Sequence, residues 1–438
     1  MNSISEYALA DIFPISLSGE WGSEPVPEGN ALVLRAADFT KDCKLRGQIG
    51  ALRKINQLKL DRLSLQKGDI LIEKSGGSPD QPVGRVVFFD REDEGIKYVP
   101  SNFLQLLRVA DGFDKKFSYY LMTFLYYCGF VYRYQQQTTG IINLKLENYF
   151  STKVAIPSRL VQERIQEILS TIDRAIAHTE ALIEKYHQIK AGLMHDLFTR
   201  GIGADGKLRP TREEAPELYQ ESAIGWIPRE WDCVNLRQVA DLEVGFPFKS
   251  DWFQEDGIKL LRGENVGYGQ PDWKDTQCLS YEKSENFKEY LLREGDIIIG
   301  MDRTFTKSGI KITVLQVFDC PSLLVQRVGR FVAFGCHKSY LRWILLSDQY
   351  LCALMNQQKG MDIPHLSKAG ILEPLIPIPP ETEQIDIVRC IEACEYKIQK
   401  ECEILEKLAR QKTGLMHDLL TGKVPVKVDP DEVAHVLN

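Results

Sequence analysis

The segment Ala191-Gly-Leu-Met-His-Asp-Leu197 returns as Thr413-Gly-Leu-Met-His-Asp-Leu419, an offset of 222 (413 − 191), and no other feature constrains the fold as strongly. At the same offset Ile156-Pro157 matches Ile378-Pro379, Gln162 matches Gln384, Ile165 matches Ile387 and Ile176 matches Ile398, so this block repeats without insertion. Further upstream, Leu34-Arg35 pairs with Leu261-Arg262 and Gly68-Asp-Ile70 with Gly295-Asp-Ile297, both at 227, and Gly140 pairs with Gly360 at 220. The order of blocks is kept while the offset drifts, which places short insertions in loops. A unit of this length is far longer than a solenoid repeat, so the chain is a duplicated, pseudo-two-fold molecule.

With 438 residues the chain is long enough for two or three domains with their own cores. It has no apolar run of membrane-spanning length, and Glu6 and Asp11 fall where an export signal would need a basic region and then an apolar one, so a cytoplasmic protein is expected. Ten cysteines occur without a Cys-x-x-Cys pair. Cys390, Cys394 and Cys402 fall where a helix would bury apolar residues, so reduced core thiols are expected and zinc ligands are not. The net charge of −7 argues against an indiscriminate nucleic-acid binder. Locally the balance reverses: between Lys41 and Lys67 stand Lys41, Lys44, Arg46, Arg53, Lys54, Lys59, Arg62 and Lys67 against only Asp42 and Asp61.

From Pro157 to Phe198 the apolar residues Leu160, Ile165, Ile168, Leu169, Ile172, Ile176, Ile183, Tyr186, Ile189 and Leu193 recur at helical spacing, with charges between them. Pro157-Ser158 supplies a start, and Gly201 and Gly203 a stop. The twin helix carries Ile387, Ile391, Ile398, Ile404, Leu405, Leu408 and Leu415, with Gly422 behind it. At 1.5 Å per residue each spans about 60 Å, longer than a small domain is wide, and two stripes of equal length can bury each other as an antiparallel coiled pair. Ahead of each helix, short β-type runs such as Asp69–Ile72, Val86–Phe89, Asp296–Ile299 and Ile310–Val314, plus one helical stretch each (Phe117–Arg133, Ser339–Gln357), predict a mixed α/β domain. The expected class is therefore α+β or mixed, with two α/β domains and two long helices.

Several motifs fail their physical tests. Gly201-Ile-Gly-Ala-Asp-Gly206-Lys207 mimics a phosphate loop, but Leu208 replaces the needed hydroxyl and a long helix precedes it where a strand is required. His195-Asp196 and His417-Asp418 lack an adjacent nucleophile. No kinase, hydrolase or methyl-donor loop pattern is present, so the chain is expected to perform no chemistry itself. Better candidates are polar groups placed alike in both halves. Gln136, Gln137, Thr138 and Thr139 precede Gly140, while Gln357, Gln358 and Lys359 precede Gly360, and such amides pair with adenine edges. After the Gly-Asp-Ile runs come Lys74 and Ser75 in one half and Arg303, Thr304 and Lys307 in the other, suited to phosphate or guanine. Arg35 and Arg262, the latter followed by Asn265, either contact DNA or tie down a loop.

Ile378-Pro-Pro-Glu-Thr-Glu-Gln384 opening the second helix, the Gly-Leu-Met-His-Asp-Leu ending of both helices and Ile224-Gly-Trp-Ile-Pro228 leading into the second domain together resemble the specificity (S) subunits of type I restriction-modification systems. The first helix instead opens with Ser158-Arg-Leu-Val-Gln162. The resemblance implies a first target-recognition domain at 1–157, a spacer helix at 158–198, a linker at 199–222, a second recognition domain at 223–378, a second spacer helix at 379–421 and a tail at 422–438. Each domain would read half of a split site in double-stranded DNA, and about 60 Å of helix, or roughly eighteen base pairs, would set the spacing. Two modification subunits would dock on the helices, with Leu193, Met194, His195, Leu415, Met416 and His417 as contact candidates. Restriction subunits would join that assembly. S-adenosylmethionine, ATP and magnesium are expected on those partners, no cofactor or metal on this chain, and no membrane. A coiled-coil scaffold without DNA readout is the alternative, motivated by the negative charge.

Overall fold

The structure is a computed structural model that describes residues 4–25, 28–78, 81–93, 95–138, 140–306, 309–357 and 366–427, with backbone alone at 138, 306, 309 and 357. Two long helices, Arg159–Thr199 and Glu381–Leu420, occur where the periodicity placed them. The chain divides into two compact units, 1–181 with 402–438 and 182–401, so each unit holds one α/β domain and one segment of each helix.

The first unit is built on a four-stranded sheet in the order Ile15–Ser18, Leu104–Arg108, Ile70–Glu73, Val86–Phe88, antiparallel throughout. Beside it, Ala31–Leu34 pairs antiparallel with Ala51–Arg53 and parallel with Tyr98–Pro100. The second unit repeats this plan. Its main sheet runs Ala240–Val244, Val328–Ala333, Ile297–Gly300, Ile312–Val314, and Ile258–Leu261 pairs parallel with Ser322–Leu324. In both units the alternating apolar residues of the main sheet face a helix core on one side and a smaller satellite cluster on the other. Ile70 and Ile72 lie in the former and Leu71 in the latter, as the two-residue period of a strand requires.

The predicted helical stretches are each interrupted. The first forms a helix over Lys115–Tyr127, then stops at Gly129 (φ +75°) before a short 3-10 turn at Phe130–Tyr134. The second divides into Lys338–Ile344 and Asp348–Gln357. The Ile310–Val314 run is also broken, into Gly309–Ile310 and Ile312–Val314, at Lys311. The cysteine expectation holds only for Cys394, which continues the buried series Ile387, Ile391, Ile398; Cys390 and Cys402 point to solvent from off-stripe positions.

Each long helix starts in the core of its own unit. Val161, Ile165 and Leu169 pack with Phe117, Tyr120, Met416 and Leu419 in the first, and Ile387, Val388 and Ile391 with Tyr340, Trp343, Leu197 and Ile202 in the second. Burial of such side chains contributes about 1.5–3 kcal/mol each. In the first unit Lys412 Nζ meets Asp173 Oδ1 at 2.7 Å; in the second Lys190 Nζ meets Glu395 Oε2 at 2.6 Å. These are one interaction seen twice, since 190 + 222 = 412 and 173 + 222 = 395. In the second unit Tyr186 O lies beside Cys394 Sγ and Ile202 N donates to Glu383 Oε1, so the two helix segments there run antiparallel.

A second repeated device sits at the helix starts. Gln162 (2% exposed) accepts from Asp114 N through Oε1 at 2.9 Å and donates from Nε2 to Pro157 O at 2.9 Å. Gln384 (3% exposed) accepts from His337 N at 2.8 Å and donates to Pro379 O at 2.8 Å. Asp114 and His337 are the N-cap residues of Lys115–Tyr127 and Lys338–Ile344, so one amide ties the first turn of a long helix to the N-terminus of its domain's helix. The second unit adds Glu383, which takes bonds from Arg209 Nη2 (2.9 Å), Trp231 Nε1 (3.0 Å) and Ile202 N (2.8 Å). Gly201 (φ +65°) leaves no room for a Cβ against Glu383 and Trp231. Gln162→Ala and Gln384→Ala each strand a buried N–H and a carbonyl. Each is expected to cost about 1–3 kcal/mol, measured as a lower thermal midpoint of the full chain, whereas exposed Gln188→Ala leaves the midpoint nearly unchanged.

Candidate nucleic-acid interface

Where the two parallel strands of each unit end, the chain turns outward on both and leaves a cleft between the outgoing loops. Leu34 and Pro100 end the pair in the first unit, Leu261 and Leu324 in the second. The clefts measure 780 Å³ and 1000 Å³. Behind each lies a glycine at the same place: a Cβ on Gly19 would stand 2.2 Å from Pro100 O and Ser101 O, and one on Gly245 would stand 2.4 Å from Val325 O. Gly19 N donates to Leu104 O and Gly245 N to Val328 O, both at 3.1 Å, so each glycine packs behind a lining residue, Ser101 in one unit and Val325 in the other.

A cation just before an edge strand of the main sheet pins a loop at the cleft in each unit. Arg85 Nη2 donates to Ala36 O at 3.2 Å, and Lys311 Nζ donates to Gly263 O at 3.0 Å; Ala36 follows Arg35 as Gly263 follows Arg262. Arg85 is itself buried against Glu73, with Nε to Oε2 at 2.9 Å. Burial raises the Glu73 carboxyl above its ordinary value, and the Arg85 guanidinium offsets part of that rise. The lining of the first cleft includes Trp21, Arg46, Gln81, Ser101, Asn102 and Phe103. That of the second includes Ser250, Phe253, Asp302, Arg303, Gln326 and Arg327. Counting all lining residues, the first has Arg35, Arg46 and Arg85 against Glu73, and the second Arg262, Arg303, Lys311 and Arg327 against Glu264 and Asp302. Both are net positive in a chain of net charge −7. Ser101, 2% exposed, has no hydrogen-bond partner for its Oγ among the described residues.

The structure gathers several of the expected DNA-contact residues at these clefts. Arg35, Arg46 and Ser75 line the first, Arg262 and Arg303 the second. Gln136 and Gln137 are exposed, not on a loop but on the strand Gln135–Thr138, which pairs with Ile141–Leu144 and through it with Ser75–Gly76. Lys41 is exposed, and Lys44 is half-buried against Asp42 at 2.9 Å. Lys74 Nζ donates to Ser18 Oγ, and burial lowers its ammonium from the ordinary value. Ser75 Oγ donates to Asn143 Oδ1 at 2.6 Å. Both paired arginines also hold their loops: Arg35 Nη2 meets Asp38 Oδ1 at 2.8 Å, and Arg262 Nη2 donates to Asp275 O at 2.6 Å.

Two candidates need correction. Asn265 (1% exposed) donates to Asp272 O and accepts from Arg262 N, and Thr304 (0% exposed) donates to Met301 O, so both hold loops from within and neither reaches a base. Of Thr138 and Gln357 only the backbone is described, in a strand and at a helix end, and Thr139, Lys307, Gln358 and Lys359 lie outside the described residues. Among the partner-contact candidates, Met416 is buried in its own unit's core, and Leu193, Met194 and Leu415 are half-buried against theirs. His195 and His417 are exposed, His417 with its ring 6.2 Å from Phe124. Arg85, Lys311, Arg327 and Phe103 escaped the sequence reading, because only the paired strands bring them beside Arg35 and Arg262. Among the described residues no three His, Cys, Asp or Glu side chains are grouped to hold a metal, and no helix is long and apolar enough to cross a membrane.

Residues 3–187 and 228–410 each match the family model described as the type I restriction modification DNA specificity domain. The chain is 30% identical over 295 residues to the type I restriction enzyme MjaVIII specificity subunit of Methanocaldococcus jannaschii, covering 67% of each chain. It is 28% identical over 219 residues to the EcoAI specificity subunit of Escherichia coli, covering 50% of this chain and 37% of that one. The fold is similar to that of the S subunit of a type I restriction-modification system from M. genitalium, at a TM-score of 0.54 and 16% identity over 98% of this chain and 97% of the other.

Arg85→Ala leaves Glu73 buried without its partner and is expected to destabilise the first unit by about 3–5 kcal/mol near neutral pH. A carboxyl held above its unfolded value gains its proton first in the folded chain, so the penalty is absent below the unfolded value and grows as pH rises through the folded one. Denaturant unfolding should show a larger loss at about pH 8 than at about pH 5.

Proposed function

The chain belongs to the family of type I restriction-modification DNA specificity subunits, and from that membership we propose that its two clefts each read one half of a bipartite site in double-stranded DNA. The observation that carries this reading is the repetition of the cleft. A tightly packed glycine behind the lining, a cation on the carbonyl after Arg35 or Arg262 and a net positive lining occur in both units, although the chain as a whole is acidic. Guanidinium and ammonium groups at the rims position the protein on phosphates, and a few side chains reach base edges; each bidentate pair contributes about 1–3 kcal/mol of discrimination.

Chemistry then belongs to partners. Two modification subunits docking on the helices would bring S-adenosylmethionine, and restriction subunits would bring ATP and magnesium, all in the cytoplasm. The exposed His195 and His417 remain candidates for those contacts, in place of the core-facing Met416. The two helices, about 60 Å each by residue count, would fix the spacing between half-sites.

Exchanging residues 223–378 for the corresponding domain of a relative tests the reading. In the assembly with modification subunits, sequencing of methylated sites should show one half-site replaced and the other kept; two unchanged half-sites would refute it. A scaffold without DNA readout predicts instead that the assembled complex binds DNA without the steep loss of affinity with salt that phosphate contacts impose.

A further inference from the structure

Among the described residues three that are not glycine adopt a left-handed backbone: Cys43, Arg303 (φ +47°) and Arg327 (φ +63°). Two of the three are arginines, both exposed, and both line the cleft of the second unit. The loops that carry them are joined, because Met301 N donates to Arg327 O at 2.9 Å and Arg327 Nη1 to Asp302 Oδ2 at 2.8 Å. The two guanidinium groups therefore belong to one rim.

The other unit supplies an internal control. At the offset of 227 that aligns the Gly-Asp-Ile runs, Arg303 corresponds to Gly76, which has φ +124°. Glycine adopts positive φ at little cost, whereas any other residue there is strained. Lys74 N donates to Phe103 O as Met301 N does to Arg327 O, so Arg327 corresponds to Phe103, an exposed ring. The loop frame thus accepts a glycine where the second unit keeps an arginine. Both side chains are exposed, and the contact of Arg327 with Asp302 lies within the rim itself.

Resting on the reading of the clefts given above, we propose that Arg303 and Arg327 are specificity-determining residues, and that the half-site read by the second unit contains guanine. An arginine presents two parallel N–H donors, and guanine is the base whose major-groove edge offers two acceptors, N7 and O6, to match them. Both side chains stand exposed at the rim, as a reader requires. The first unit, with Gly76 and Phe103 at the same places, lacks this pair of donors and reads its half-site with different groups.

The test uses the full chain assembled with its modification subunits. Methylated sites are mapped by sequencing for the native protein, Arg303→Gly and Arg327→Gly, and thermal midpoints are measured alongside. Glycine relieves the strain, so midpoints are expected to hold or rise. Discrimination against other bases at the guanine positions of one half-site should fall about tenfold to a hundredfold, with the other half-site unchanged. A native half-site without guanine, an unaltered motif, or a uniform loss of methylation at all sequences, as phosphate contacts would give, overturns the inference while leaving bipartite recognition standing. A native assembly that methylates no bipartite site removes the reading beneath it as well.

Discussion

One buried amide in each unit fixes where a long helix begins with respect to the domain ahead of it. An amphipathic helix of forty residues has a stripe to bury, but a stripe alone permits sliding by a turn and rotation by a fraction of one. Gln162 and Gln384 remove that freedom, because each accepts from the N-cap N–H of a domain helix while donating to the carbonyl of the proline that precedes the long helix. A wrong register would leave these polar groups buried and unpaired, at a cost of about 1–3 kcal/mol for each group. Hydrophobic burial stabilises the contact, and the amide selects its geometry.

The clefts inherit their form from that fixed frame. Once the inner strands are in place, Gly19 and Gly245 let the backbone approach the loop after the parallel strand within the space a Cβ would fill. A loop at each cleft is held by a cation on a main-chain carbonyl. The first unit uses Arg85, which needs Glu73 to balance its charge out of water; the second uses Lys311, with Gly300 in the place of Glu73 at the offset of 227. Two side-chain chemistries thus produce one backbone geometry. The first has the higher desolvation penalty and depends on its partner, which is why the Glu73 carboxyl is displaced upward.

Periodic features were legible in the sequence and pairwise ones were not. The long helices follow from apolar spacing, and the duplicated α/β plan from matched Gly-Asp-Ile and Leu-Arg blocks. The same periodicity ran across Gly129 and Leu345–Ser347, where the helices stop. Burial decided the candidate residues, and burial depends on partners distant in sequence. Asn265 and Thr304 look like surface groups until Asp272 and Met301 are found to hold them, and Met416 belongs to a repeated motif whose methionine faces the core. Arg85 stands 50 residues from Arg35 (85 − 35), so no local pattern joins them.

The duplicated chain also separates framework from function without any second sequence. Positions that set geometry carry matched chemistry at matched offsets: Gln with Gln, Gly with Gly, and a lysine paired with a carboxylate through Asp173 and Glu395. Positions on the cleft rims do not match: Gly76 against Arg303, Phe103 against Arg327. A rim residue that served only to shape its loop would still make a framework contact in both units, as Arg85 and Lys311 do with different side chains. At the rims both backbone and side chain differ: Arg303 (φ +47°) stands against Gly76 (φ +124°) and Arg327 (φ +63°) against Phe103, and both arginines occupy a conformation that disfavours them. Two different half-sites would impose such a difference on the rims while leaving the framework contacts in place.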